Sequence, residues 1–137
     1  MQDHFIFSDS EFEEAFKNKS LQPQFFNHEA HLRLAYIHIQ TYGIDQTIDN
    51  VCTQIKAYAE SLGAHDKFHK TVTVAAVKAV YHFMLKTKTD NFKEFIQENP
   101  RLKSNFMDLL SQHYGIDLFN NEQARSSFLQ PDLLPFD

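Results

Sequence analysis

Chain-breaking residues are scarce in this sequence. Of its 137 residues, 3 are Gly and 4 are Pro. The segment from His69 to Lys86 contains no Gly and no Pro. Polar and apolar residues alternate over Thr71–Val74 as in a strand, but the whole segment is too long for an ordinary strand and is predicted to be a helix. Hydrophobic residues make up 42% of the chain and aromatic residues 14%, so disorder and a turn-rich all-β fold are both disfavoured. The sequence predicts an all-α fold with one hydrophobic core.

Local capping signals give the expected helix boundaries. Ser8 and Glu11 have the spacing of a capping box, Asn27 can cap the second helix, and Gly43 can end it. The four main helices are expected at about residues 9–18, 28–42, 45–62 and 69–86. Shorter helices are expected at about 91–98, capped by Asp90, at 105–114, capped by Ser104, and weakly at 117–128. We therefore predict a helical bundle of four main helices with shorter carboxy-terminal helices packed across it.

The domain organisation is expected to be simple. We predict one helical domain over residues 1–137, with residues 1–8 as an amino-terminal extension and residues 129–137 as a docked tail. Leu133, Leu134 and Phe136 would be unprotected if the tail were free. The alternative is that they cover a neighbouring subunit in a homodimer.

Charge and cysteine content narrow the function classes. Lys and Arg total 13 against 18 Asp and Glu, which gives a net charge of −5 and no basic run, so we expect no nucleic-acid partner. No apolar run approaches the ~18 residues of a membrane span, and the acidic first residues do not resemble a signal peptide. The single Cys52 excludes an intrachain disulfide and favours a reducing compartment, so we expect a cytoplasmic protein.

Histidines are the most unusual feature, with 8 in the chain. On a helical wheel His28 and His31 share the apolar stripe of the second helix, and His69 lies at the first turn of the fourth. If the two helix starts are neighbours, these three side chains can hold one divalent ion, zinc or iron, with a coordination position left open. An H-x-x-H spacing also arises by chance, and each His can instead be a buried structural residue or a helix cap.

Two further residues are candidates for ligand binding. Arg33 lies about 140° from His28 around the helix, so it either forms a solvated ion pair with Glu29 or binds an anionic ligand. Thr73 lies on the stripe of His69, where it can position a ligand or a His ring.

Two segments resemble the signatures of a known family. FNHEAHLRLA at residues 26–35 and FHKTVT at residues 68–73 are similar to the F-x-H-x-x-H-L-R-x-A and [YF]-H-x-T-x-T motifs of a bacterial family of small helical proteins with no assigned activity. The resemblance implies a common site built from His28, His31 and His69. Many relatives have Glu after the His of the second motif, where this chain has Lys70, so a carboxylate role at that position is not implied here.

Three functions are consistent with these patterns. The first is a small metal-dependent enzyme or metal-binding protein that acts on a small molecule at His28, His31 and His69, with Arg33 and Thr73 positioning the substrate. The second is a binding module that takes an anionic or aromatic small molecule without metal. The third is a protein-interaction domain whose histidines are all structural.

Overall fold

The computed structural model describes residues 3–64 and 67–136, and these residues form helices and no strands. The predicted all-α fold class is therefore confirmed. The chain divides into two compact units, unit 1 at Met1–Phe68 and unit 2 at His69–Asp137. Met1 and Gln2 of the predicted extension and Asp137 of the predicted tail lie outside the described residues.

In residues 3–64, unit 1 contains three α-helices and two short 3-10 turns. The helices are α1 at Asp9–Lys17, α2 at His28–Tyr42 and α3 at Ile44–Ser61, and the 3-10 turns are His4–Ile6 and Pro23–Phe25. The caps are those that the sequence predicts: the capping box of Ser8 and Glu11 is formed, and the Asn27 side chain accepts from the Ala30 amide at 2.9 Å. Gly43 ends α2 with a φ of +82°, a conformation that favours glycine.

The core of unit 1 is rich in aromatic rings. Phe12 and Phe16 of α1 are fully buried, and the ring of Phe16 lies 4.5 Å from Phe26 and 4.7 Å from Tyr58 of α3. The Tyr58 hydroxyl donates to the Leu21 carbonyl at 2.6 Å. This bond fixes the loop after α1 against α3, and it satisfies a polar group that would be costly to bury alone.

Unit 2 begins with the long helix α4 at Lys70–Lys86. Shorter helices follow: α5 at Phe92–Glu98, α6 at Pro100–Ser104, α7 at Phe106–His113 and α8 at Glu122–Ser126, with a 3-10 turn at Leu118–Asn120.

Two predicted caps in unit 2 are wrong. Asn91, not Asp90, caps α5, and its side chain accepts from the Glu94 amide. Pro100 follows α5 and occupies the first position of α6. Proline is favourable there because the first amides of a helix have no hydrogen-bond partner within the helix. Ser104 is therefore the last residue of α6 and does not cap α7.

The core of unit 2 joins α4 to the later helices. Ala75, Phe106, Leu110 and Ala124 belong to one buried cluster, and Phe136 of the tail packs against it. Among the described residues, no helix has the length and hydropathy that a bilayer span requires.

The tail follows α7 through backbone hydrogen bonds. The amides of Leu133 and Leu134 donate to the carbonyls of His113 and Gln112 at 2.9 and 3.3 Å. Their side chains are exposed, and a contact with a second subunit stays a prediction.

Candidate functional site

His28 and His31 lie on the first turn of α2, as the wheel predicts, and both are half-buried. The ring of His31 packs edge-on against Phe26, with 4.1 Å between ring centroids. Burial, and secondarily the nearby His28, lowers the pKa of His31 to about 4. His31 is therefore a neutral imidazole at neutral pH.

His69 is the N-cap residue of α4, and both of its ring nitrogens are hydrogen-bonded. Nδ1 accepts from the Val72 amide at 3.2 Å, and Nε2 lies 2.7 Å from the Leu118 carbonyl oxygen, to which it donates. These partners assign the neutral tautomer with the proton on Nε2. His69 thus connects the start of α4 to the 3-10 turn at Leu118–Asn120.

These bonds leave His69 poorly suited to bind a metal. A metal ion needs a nitrogen lone pair, and the lone pair on Nδ1 already caps the helix. Within each unit, the described residues contain no group of three His, Cys, Asp or Glu side chains that could hold a metal. The metal site of His28, His31 and His69 joins residues of both units and stays a prediction.

Thr71, rather than Thr73, makes the side-chain contacts of the second motif. The buried Thr71 hydroxyl donates to the Ser127 carbonyl at 2.9 Å and accepts from the Leu129 amide at 3.1 Å. Thr73 is half-buried one turn after His69, and its role as a ligand contact stays a prediction. His69 and Thr71 together anchor two carboxy-terminal segments to the first turn of α4.

Arg33 is buried, with 4% of its surface exposed, and it binds the amino-terminal segment. Its guanidinium donates to the carbonyls of His4 and Phe7 at 2.7 and 2.8 Å and pairs with Asp9 at 2.9 Å. The expected solvated pair of Arg33 with Glu29 is wrong, because both side chains are buried. A ligand at Arg33 would have to displace one of these acceptors, and its ligand-binding role stays a prediction.

His4 and Glu29 complete this group, which we call the N-terminal clasp: His4, Asp9, Glu29 and Arg33. His4 is fully buried; its Nε2 lies 2.8 Å from Glu29 Oε1, and its Nδ1 lies 3.3 Å from an Arg33 nitrogen. Since arginine can only donate, Nδ1 accepts and Nε2 donates, so His4 is neutral. Burial lowers its pKa, although the bond to Glu29 opposes this shift. No local sequence signal indicates the clasp, because the residues that bond to each other in it lie 24 to 29 positions apart.

His38 of α2 is buried, with 1% of its surface exposed. Its Nε2 has no hydrogen-bond partner among the described residues and lies 3.9 Å from Glu13 Oε2. Glu13 accepts from the Tyr42 hydroxyl at 2.9 Å. Burial lowers the pKa of His38 despite the nearby carboxylate of Glu13. The ring nitrogen is enclosed by protein, so this group offers no opening to a ligand.

Unit 2 contains an open cavity of about 250 Å³, which we call the α4–α7 cleft. Its walls are mostly apolar. They are formed by Ala75, Ala79 and Phe83 of α4, by Phe106, Leu109 and Leu110 of α7, and by Pro135 and Phe136 of the tail. Ala75 and Ala79 contribute the smallest side chains of these walls.

The polar residues of the cleft are predominantly basic. Lys86 and Arg101 contribute two cations, and His82, Gln112 and His113 contribute further polar groups. No Asp or Glu is among the described residues that line it. The cleft therefore has the opposite charge from the chain as a whole, whose net charge is −5.

The tail forms one wall of the cleft and is fixed there by His113. His113 Nδ1 donates to the Leu134 carbonyl at 2.8 Å, and the His113 ring stacks on Phe136 with 4.3 Å between centroids. Tyr114 adds a bond from its hydroxyl to the Leu129 carbonyl at 2.6 Å. Burial, with a smaller effect of Asp132, raises the pKa of Tyr114 to about 12.

Comparison with known proteins gives no assignment: no family model matches the chain, and no curated protein or solved structure matches it.

Proposed function

We propose that this protein is a non-enzymatic binding module that takes a small molecule into the α4–α7 cleft. The observation that supports the proposal is a concave, mostly apolar surface of about 250 Å³ with a few polar groups at one site. Small-molecule sites have this composition, and their volumes begin near ~300 Å³. The cleft is therefore suited to a small ligand with an apolar body.

The contacts of the motif residues favour binding over metal chemistry. His69 and Arg33 use their nitrogen atoms to hold backbone segments in place. A metal-dependent reaction at His28, His31 and His69 would first have to remove the cap of α4. The cleft needs no such change, because its lining groups already face an open space.

The cellular setting is part of the same proposal. The buried Cys52 and the absence of a second cysteine from the sequence are compatible with a reducing compartment, and we place the protein in the cytoplasm. The net charge of −5 disfavours nucleic acid as the ligand.

A ligand series of constant length tests the binding function. Isothermal titration calorimetry and thermal unfolding are carried out with 1-octanol, octanoate and octylamine, which share an eight-carbon chain. We expect saturable binding of at least one of them. At a hundredfold excess over Kd, the midpoint of thermal unfolding should rise by about 5–10 °C.

A pair of variants places the binding in the cleft. Ala79→Phe fills the space between α4 and α7 and should abolish binding, because Ala79 lines the cleft. Leu85→Phe adds the same ring at an exposed position of the same helix and should leave binding unchanged. The proposal is wrong if none of the three probes binds, or if Ala79→Phe binds as tightly as the unmodified protein.

A further inference from the structure

We infer that the ligand of the α4–α7 cleft is a small organic anion, a monocarboxylate whose head group is bound by Lys86 and Arg101 and whose apolar body lies between α4 and α7. This inference rests on the proposed binding function and adds the charge and shape of the ligand. Three observations support it: the sign of the charges, the absence of competing ion pairs, and the composition of the walls.

The charge of the cleft selects an anion. Acidic residues outnumber Lys and Arg by 18 to 13 in the sequence, so a surface site of average composition would be acidic. The described lining instead contains Lys86, Arg101 and two histidines, and no carboxylate. A concave site that is lined by charges of one sign attracts ligands of the opposite charge and repels ligands of the same charge.

The two cations are available to a ligand. Lys86 is the last residue of α4 and Arg101 lies in α6, and both side chains are exposed. Among the described residues neither forms an ion pair. An arginine can bind a carboxylate through two parallel hydrogen bonds, whereas a lysine contributes a mobile point charge. A carboxylate at the cleft mouth is therefore bound without breaking an existing interaction.

The walls select a ligand with an apolar body. Ala79 and Phe83 on one side and Leu109 on the other offer hydrocarbon surface, which a polyanion such as a nucleotide would leave unused. Burial of apolar surface gains about 25 cal/mol per Å², so most of the binding energy of a small ligand would come from its chain or ring. A single negative charge on an aliphatic or aromatic body matches both parts of the cleft.

The probe series separates this inference from the proposed function. We expect octanoate to bind about tenfold more tightly than 1-octanol, since two exposed charged contacts contribute about threefold each. Octylamine should bind most weakly. If 1-octanol binds as tightly as octanoate, or octylamine binds more tightly, the binding function stands and the anion inference is wrong. If no probe binds, the proposed function itself fails.

Charge-removing variants test the two cations directly. Lys86→Gln with Arg101→Gln should weaken octanoate binding about tenfold and leave 1-octanol binding unchanged. The matched control, Lys56→Gln with Lys93→Gln, removes the same charge from exposed positions outside the cleft and should change neither affinity. Equal weakening by the two double variants would show a general charge effect and would overturn the assignment of Lys86 and Arg101.

Discussion

Replacing Arg33 by Met should destabilise the protein by about 3–5 kcal/mol. The change keeps the length of the side chain but removes the guanidinium, whose Cζ lies 4.8 Å from the centroid of the Phe12 ring and which donates to the carbonyls of His4 and Phe7. A buried acceptor that loses its partner costs about 1–3 kcal/mol, and the part-buried Phe7 carbonyl lies at the lower end of this range. The pair with Asp9 adds about 0.2–1 kcal/mol, because that carboxylate is 52% exposed.

Urea unfolding followed by circular dichroism measures this loss. With a slope of about 1–3 kcal/mol per molar urea, the midpoint should fall by about 2 M. Amide hydrogen exchange of residues 3–7 should become faster, because Arg33 holds that segment against α2. Arg101→Met is the matched control; Arg101 is exposed, so its loss should change the stability by no more than about 0.5 kcal/mol.

Two results would refute this account of the clasp. The first is an Arg33→Met variant whose unfolding free energy lies within about 1 kcal/mol of the unmodified protein, since the buried carbonyls alone should cost more. The second is an Asp9→Asn variant that loses as much stability as Arg33→Met, which would show that the exposed ion pair provides the stabilisation. For Asp9→Asn we expect the free energy of unfolding to fall by about 1 kcal/mol or less.

Further predictions concern the histidines and Thr71. Because the pKa of folded His31 is about 4 and its ordinary value is 6.5, the unfolded chain binds more protons between these values. The contribution of neutral His31 to the free energy of unfolding is complete above pH 6.5 and falls by up to about 3 kcal/mol as the pH drops to 4. In denaturation measured as a function of pH, His31→Gln should reduce this loss of stability. In chemical denaturation, the free energy of unfolding should fall by about 1 kcal/mol more in His69→Ala than in His69→Asn, because Asn can still cap α4. Equal losses of stability in the two variants would contradict the capping role. Thr71→Val should cost about 1–3 kcal/mol and loosen residues 127–129 in hydrogen exchange, and an unchanged exchange rate would count against the anchor. Elemental analysis of protein prepared without a nickel column should find substoichiometric transition metal; a full equivalent that is lost in His28→Ala would instead establish the metal site.

The helices of unit 1 could be predicted because their signals are local. The capping box of Ser8 and Glu11, the cap at Asn27 and the stop at Gly43 each depend on residues within one turn. The wheel also placed His28 and His31 on the apolar side of α2, and both are half-buried. Helix α6 at Pro100–Ser104 was not predicted, because Pro100 favours the start of a helix as well as the end of one, and the sequence signal does not distinguish the two.

The setting of Arg33 could not be predicted from its own helix. The wheel placed it beside solvent, and that face is instead covered by residues 4–9, which lie more than 20 positions earlier in the chain. The cleft was not predicted either. The stripe of α4 that includes Ala79 and Phe83 is apolar in the sequence, but α7 and the tail meet α4 only through tertiary packing.

Nuclear magnetic resonance maps the ligand site most directly. In a titration of isotopically labelled protein with octanoate, the account predicts saturable shifts of the amide signals of Ala79, Phe83, Leu109 and Phe136, which line the cleft. The first turn of α2 should not respond. Shifts centred on His28 and His31, or no saturable shift at all, would contradict the central claim that this protein binds its ligand between α4 and α7.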